Sequence, residues 1–353
     1  VSDRQVDARV AAALDRAHGA TLVFDLAAIE ANIRRVAFAA RTQDVRALFA
    51  AKSFPHPDVR ALAAKHLDGF DVASPAELHD VPRAAILSIA DPTGAAPAAD
   101  ARADRVIVAC ETPDQVRAAP AHADIAIRVS ASLANRDPAV GAILEGSGRR
   151  RSRFGLEDTA QIAALRALAA GRRVGLHVHH GPVVATSAER FLATARAALA
   201  AADFEPAFID LGGAWHGIAD LAVAFAQIRS AVPASIELLV EPGRLYSDGA
   251  GFATGRITAA RALADRELRV TELSRICHLR WSHVDLVAPA PHPGTGRPVL
   301  VLGPTCFEED ALGEWIVDPA QLSSRVVLRG VTGYALAWNT GFAGVPPAAV
   351  AFT

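Results

Sequence analysis

The sequence predicts a (β/α)8 TIM-like barrel followed by a C-terminal antiparallel β domain. Three observations carry this. Eight short apolar runs recur between residues 46 and 244, each followed by an alanine-rich stretch with helical character. Near-continuous apolar strands alternating with helices belong to parallel sheets covered on both faces. Eight such units in about 200 residues close into a barrel. After Arg244 the rhythm changes, and the runs 267–273, 297–303 and 324–330 follow without intervening helices, as in a separate β domain. A chain of 353 residues fits roughly two such domains. The barrel is expected over 21–245, with 1–20 and 246–353 forming the β domain.

The runs justify themselves in order by how they end. The first, Arg-Ala-Leu-Phe-Ala-Ala-Lys at 46–52, closes on Lys52, and the second, Gly-Phe-Asp-Val-Ala-Ser at 69–74, carries Asp71. The runs 85–91, 105–111 and 124–130 complete the first five. The sixth, Val-Gly-Leu-His-Val-His-His-Gly at 174–181, places His177 and His179 on one face and His180 on the other. The seventh, 207–213, ends in Gly212 and Gly213, and the eighth, 236–244, ends in Glu241-Pro-Gly243-Arg244. Active sites of these barrels lie at the carboxyl ends of the strands. No repeat of fixed period exists beyond the βα units, and no stretch reads as a low-complexity linker.

Composition excludes several function classes. Hydrophobic residues make up 51 % and charged residues 21 %, as in a soluble globular protein. The net charge is −2 and no basic block stands out, so neither nucleic acid nor a membrane surface is an expected partner. Arg149, Arg150, Arg151 and Arg153 cluster, but Gly146, Ser147 and Gly148 mark a loop there. Cys110, Cys277 and Cys306 do not suggest a disulfide framework. The polar start resembles no signal peptide, and no apolar run approaches the roughly 20 residues that span a bilayer. A cytoplasmic enzyme is the expectation. The absence of methionine suggests an alanine- and arginine-biased genome and a trimmed start.

The strand ends define a chemistry. Of 36 basic residues only Lys52 and Lys65 are lysines. Lys65 falls in a helical pattern where a solvated amine needs no explanation. Lys52 ends a buried strand, where burial lowers an amine's pKa and suits it to Schiff-base formation. The alternative is a strand-end lysine reaching solvent. His177 and His179 share a face, but no carboxylate or third histidine lies at ligand spacing, so no metal is expected. A ring lying over a planar cofactor fits better. Gly212 and Gly213 let backbone N–H groups approach a phosphate, or simply make a tight turn. Arg244 can grip phosphate at the usual phosphate end of the barrel. Glu241, three positions earlier, can hold a pyridine nitrogen protonated. Lysine, histidine, carboxylate, glycines and arginine together describe a pyridoxal 5′-phosphate pocket.

The chain resembles the fold-type III pyridoxal-phosphate decarboxylases, the group containing the ornithine, arginine and diaminopimelate enzymes. The matching stretches are Ala-Ala-Lys52-Ser, Phe-Asp71-Val-Ala-Ser, Leu-His-Val-His179-His-Gly, Asp-Leu-Gly212-Gly213 and Glu241-Pro-Gly243-Arg244. They continue as Gly-Pro-Thr-Cys306 and Gly-Tyr334-Ala-Leu-Ala-Trp-Asn-Thr-Gly-Phe342, spanning about residues 21–345. Glu-Pro-Gly-Arg followed by Gly-Pro-Thr-Cys separates this group from alanine racemases, which share the barrel but usually pair the ring nitrogen with arginine.

The resemblance implies roles. Lys52 would carry the cofactor, His179 would stack on its ring, and Glu241 would keep the ring nitrogen protonated. Gly212, Gly213, Arg244 and Tyr334 would hold the phosphate, with Asp71 and Gly243 in the same pocket. Cys306 would enter from the second subunit of a homodimer and protonate the carbanion left by loss of carbon dioxide. The β domain of one chain would then cap the barrel of the other.

The departures bear on the substrate. Pro182 stands where the family usually has a phosphate-binding serine, and Ala214 replaces the third glycine of the phosphate loop. Phe307 follows Cys306 where the ornithine and diaminopimelate enzymes carry an acid. Glu308 and Asp310 come next. Arg275 and Arg280 occupy the region that supplies another acid to a distal amine. With Phe307, Glu308, Asp310 and Phe342 they form the expected substrate rim. A less acidic rim suits an amino acid or conjugate with an anionic distal part, such as a siderophore or antibiotic intermediate. The alternatives are a basic amino acid as substrate, a racemase or aldolase on the same scaffold, and a non-catalytic cofactor carrier.

Overall fold

The computed structural model describes residues 6–136, 152–179, 188–289 and 296–353. The chain divides into two compact units. One contains Val1–Asn32, Ser53–Pro55 and Tyr246–Thr353, and the other contains Ile33–Lys52 and His56–Leu245.

The first strand, β1 (Thr21–Phe24), pairs antiparallel with a strand beginning at Gly251 and parallel with one beginning at Ala349. It is therefore part of the sheet, and the expected start of the barrel at residue 21 is corrected. A fully buried four-residue apolar strand reads the same whether its neighbours belong to a barrel or to a sheet.

The barrel strands are β2 (Val45–Ala50), β3 (Gly69–Val72), β4 (Ala84–Ile89) and β5 (Ala103–Cys110), then β6 (Asp124–Arg128), β7 (Val174–His177), β8 (Phe208–Asp210) and β9 (Glu237–Val240). They close in sequence order, every pair parallel, and coincide with the eight expected runs.

Alternation along each strand and register between strands sort the interior into layers. At the amino ends, Arg105 reaches Asp124 at 2.7 Å and Glu237 at 2.8 Å, and Arg173 reaches the same acids at 3.2 and 2.7 Å. Arg46 adds Asp68 at 3.3 Å. Above this network Leu48, Ile86, Ile107, Ala126, Phe208 and Leu239 form the packed core. Gly175 is required there, because a Cβ would lie 2.5 Å from the Phe208 ring. The next layer is polar and buried: Asp71, Ser88, Arg128, His177, Asp210 and Glu241. The fold thus carries a functional floor on an apolar plug.

Phe208 is fully buried beneath the guanidinium groups of Arg105 and Arg173, 5.1 and 5.3 Å from its ring centre. Phe208→Ala is expected to cost about 3–5 kcal/mol, read from urea unfolding of the whole chain. A loss under about 1 kcal/mol would contradict a close-packed plug.

The sheet unit contains β10 (Gly251–Ala262), β11 (Glu267–Thr271), β12 (Asp285–Ala288), β13 (Arg297–Leu302), β14 (Ala311–Val317), β15 (Arg325–Arg329) and β16 (Ala349–Phe352). Their order is β12-β15-β10-β11-β13-β14, with β1 joining β10 to β16. It is mostly antiparallel, with two parallel pairs, β11–β13 and β1–β16. The helix Ala8–Asp15 buries Val10 and Leu14 against Val23 and Phe252. Among the described residues no helix is long and apolar enough to cross a membrane.

Candidate active site

In the barrel unit Lys52 follows β2, and its Nζ donates to Asp71 Oδ2 at 2.5 Å. The register pairs Ala50 with Asp71, so the lysine two residues on overhangs the acid. The other Asp71 oxygen has no hydrogen-bond partner among the described residues. Burial, then the charge of Glu241, push Asp71 up to about 6, against the pull of Lys52.

Glu241, just past β9, accepts from Ser88 Oγ at 3.2 Å and lies 3.6 Å from His177 Nε2. Burial opposes its ionisation, but His177, Lys52 and a hydrogen bond from Asp210 outweigh burial and hold it below the usual carboxylate range. Asp210 moves the opposite way, because burial and the neighbouring Glu241 charge favour its protonated form. Two acids side by side are thus pushed in opposite directions, Glu241 toward ionisation and Asp210 toward its protonated form.

The glycine turn follows β8. Gly212 takes φ +61°, and its N–H donates to Asp210 Oδ1 at 2.8 Å. A Cβ on Gly212 would come within 2.9 Å of His179 Cδ2, and one on Gly213 within 3.3 Å of His179 Nε2. The His179 ring therefore packs on this turn. Burial, then the Lys52 charge, push His179 down to about 3, so its ring is neutral. The place beside Glu241 belongs to His177, whose two ring nitrogens have no hydrogen-bond partner among the described residues. Ala214 adopts φ +70°, taking the left-handed backbone that a glycine would adopt more easily. Gly243 and Arg244 leave β9, and Pro242 beside them accepts from Ala50 N at 3.4 Å. Pro182, His180 and the cluster Arg149, Arg150 and Arg151 lie outside the described residues.

The argument against a metal needs correction. Spacing along the sixth run offers no carboxylate, yet the neighbouring strands bring Asp210 and Glu241 to His177, with ligand atoms all within 4.8 Å of one another. Within this group Glu241 also accepts from the Ser88 hydroxyl, and burial and the Glu241 charge favour the protonated form of Asp210.

In the sheet unit Cys306 is exposed in the connection between β13 and β14. Phe307 beside it is exposed and lies 5.4 Å from Phe342, ring centre to ring centre. Asp310 is corrected as a substrate residue. It is buried, and its Oδ1 accepts from Ser274 Oγ at 3.0 Å, Arg275 N at 2.6 Å and Ile276 N at 3.4 Å. Its Oδ2 accepts from Thr305 N at 3.1 Å and Oγ1 at 2.7 Å. This saturated carboxylate ties the Arg275 segment to the Cys306 loop and has no lone pair to spare for a ligand. Arg280 stacks on Trp338 at 4.7 Å, while Trp281 sits edge-on to Tyr334 at 5.2 Å. Glu308 is exposed.

Sequence reasoning missed Ser88, Arg128 and Asp210. Arg128 is buried, 3.4 Å from Glu111 and 4.4 Å from the Phe154 ring. The available signal was a polar residue interrupting an apolar run.

No family model matches the chain, and no curated protein matches it either. Solved structures do. A lysine/ornithine decarboxylase from Vibrio vulnificus, complexed with cadaverine, is similar with a TM-score of 0.77 at 16 % identity, covering 98 % of this chain and 97 % of that one. An arginine decarboxylase from Paramecium bursaria Chlorella virus, bound to agmatine, gives 0.77 at 15 %, covering 99 % and 100 %. A diaminopimelate decarboxylase from M. jannaschii, in complex with L-lysine, gives 0.76 at 18 %, covering 98 % and 89 %. The closed eight-stranded parallel barrel with a mostly antiparallel sheet is therefore the fold of the solved lysine/ornithine, arginine and diaminopimelate decarboxylases.

Proposed function

We propose that the chain is a pyridoxal-phosphate-dependent decarboxylase of an L-amino acid or amino-acid conjugate with an anionic distal part, working as a homodimer in the cytoplasm. The observation that carries this reading is the buried floor of the barrel, where Lys52 pairs with Asp71 at 2.5 Å and buried Glu241 lies between Ser88 and His177. The donor set fits the cofactor. An amine overhangs the floor, a carboxylate stands ready for a ring nitrogen, and the glycine turn admits close backbone approach. The uncommitted polar atoms of His177 and Asp71 supply further partners.

When bound, pyridoxal phosphate supplies an electron sink for the bond to the departing carboxylate. Lys52 would hold the cofactor through Nζ, with Asp71 orienting the amine. Glu241 keeps a proton on the ring nitrogen, and Ser88 and Asp210 fix its carboxylate. His179 and His177 border the ring. Gly212, Gly213 and Arg244 would hold the phosphate, and the resemblance implies Tyr334 as a further phosphate ligand. By the family resemblance, Cys306 of a second copy would supply the proton that replaces the departed carboxylate on the substrate α-carbon.

The anionic-substrate reading rests on Phe307, Arg275 and Arg280. A distal ammonium group in a closed pocket needs a carboxylate partner, because an unpaired buried charge is very costly. Phe307 has none to give, and Asp310 is already saturated. A biosynthetic conjugate, such as a siderophore precursor resembling citryl-diaminopropionate, suits that rim. The second reading, a basic amino acid, is favoured by what the similar structures act on and by exposed Glu308. Steady-state kinetics on lysine, ornithine, arginine, meso-diaminopimelate and anionic conjugates separate the two. We expect kcat/KM for an anionic conjugate to exceed that for ornithine by about 100-fold or more. Efficient turnover of ornithine or lysine without preference for the anionic compounds would sink the substrate class while leaving decarboxylation in place.

A further inference from the structure

Trp215 lies three residues past Gly212 and is almost completely buried. Its indole is stacked flat on Phe191, with ring centres 3.7 Å apart and planes at 6°, and Phe225 meets it edge-on at 5.1 Å. A ring held on two sides keeps one orientation. In that orientation its Nε1–H points back into the glycine turn and donates to the Gly212 carbonyl at 2.7 Å. The same carbonyl accepts from Glu241 N at 2.8 Å, and the Gly212 N–H is taken by Asp210 Oδ1 at 2.8 Å. Both polar groups of Gly212 are thus committed.

The next two residues are the reverse. Among the described residues, the N–H groups of Gly213 and Ala214 have no hydrogen-bond partner. Successive N–H groups in a turn that visits the left-handed region form an anion-binding concavity. The region is occupied here by Gly212 at φ +61° and Ala214 at φ +70°. A non-glycine residue is disfavoured at that φ, so something must hold Ala214 there.

We propose that Trp215 is a positioning residue which, with Asp210, locks the Gly212 peptide so that the Gly213 and Ala214 N–H groups converge on the cofactor phosphate. This rests on the reading that the turn binds phosphate. Asp210 also borders Glu241, so one acid couples the ring-nitrogen end of the floor to the anion end.

The test measures dissociation constants of pyridoxal phosphate, of pyridoxal and of inorganic phosphate for the full chain, by absorbance and intrinsic fluorescence. The wild type should prefer pyridoxal phosphate to pyridoxal strongly. Trp215→Phe keeps a ring to stack on Phe191 but removes the N–H. It should bind pyridoxal phosphate and inorganic phosphate about five- to tenfold more weakly, the factor expected of one hydrogen bond, and bind pyridoxal as the wild type does. Unchanged affinity for pyridoxal phosphate, or equal losses for pyridoxal phosphate and pyridoxal, would overturn the proposal. A wild type that binds the two equally would instead remove the phosphate-binding reading, and the proposal with it. Should Trp215→Phe fail to fold, β-(3-benzothienyl)alanine at position 215 keeps the bicyclic shape without the N–H, and the same outcomes decide.

Discussion

Lys52→Ala is expected to lower decarboxylation by on the order of 10⁴-fold or more, as removal of a covalent catalytic group does. The purified chain should be yellow, and borohydride should bleach it and leave the label on Lys52. The result is easy to read because Lys65, in the helix Pro57–His66, is the only other lysine. Peptide mapping distinguishes the two. Label on Lys65, or an unchanged absorption spectrum in Lys52→Ala, would refute the assignment. Asp71 fixes where the amine of position 52 sits. The acid holds Nζ over the floor, and a cofactor linked there inherits that placement.

Cys306→Ala should bind cofactor as the wild type does, yet lose most productive decarboxylation or divert it to transamination. Cys306 lies in the sheet unit, outside the barrel that carries Lys52. If the site is shared between copies, mixing inactive Lys52→Ala and Cys306→Ala chains restores activity. Half of the exchanged dimers are hybrids, and one site in each hybrid regains both residues, so about a quarter of all sites recover. No recovery despite verified subunit exchange would place both residues of a site in one chain.

The barrel was legible because each of its strands is an apolar run with a distinct ending, and a parallel sheet needs nothing else to be recognised. Lys52, Glu241 and the glycine pair were legible as endings. Asp210, Ser88 and Arg128 were not, because their meaning depends on register. Which residues of eight different strands share one layer is a property of strand stagger, and no single strand encodes it. The two histidines show the same limit. Periodicity puts His177 and His179 on one face, but only the neighbouring strand decides that one borders Glu241 and the other the glycine turn. Asp310 failed differently. An acid beside a cysteine looks available in sequence, and the donors that saturate it come from 34 to 36 residues upstream as well as from Thr305 nearby.

The apolar plug has a kinetic consequence. Phe208, Leu48, Ile107 and Leu239 are almost fully buried and pack in one cluster, with the arginine–carboxylate network at the strands' amino ends. Among the described residues, the polar floor is thus closed on the side of the strands' amino ends. Under the proposed reaction, carbon dioxide, the amine product and the next amino acid would all leave or enter from the side of the strands' carboxyl ends. If the chain decarboxylates an amino acid as proposed, a departing amine and an arriving amino acid would exclude each other there, and product inhibition competitive with substrate is the expected steady-state pattern.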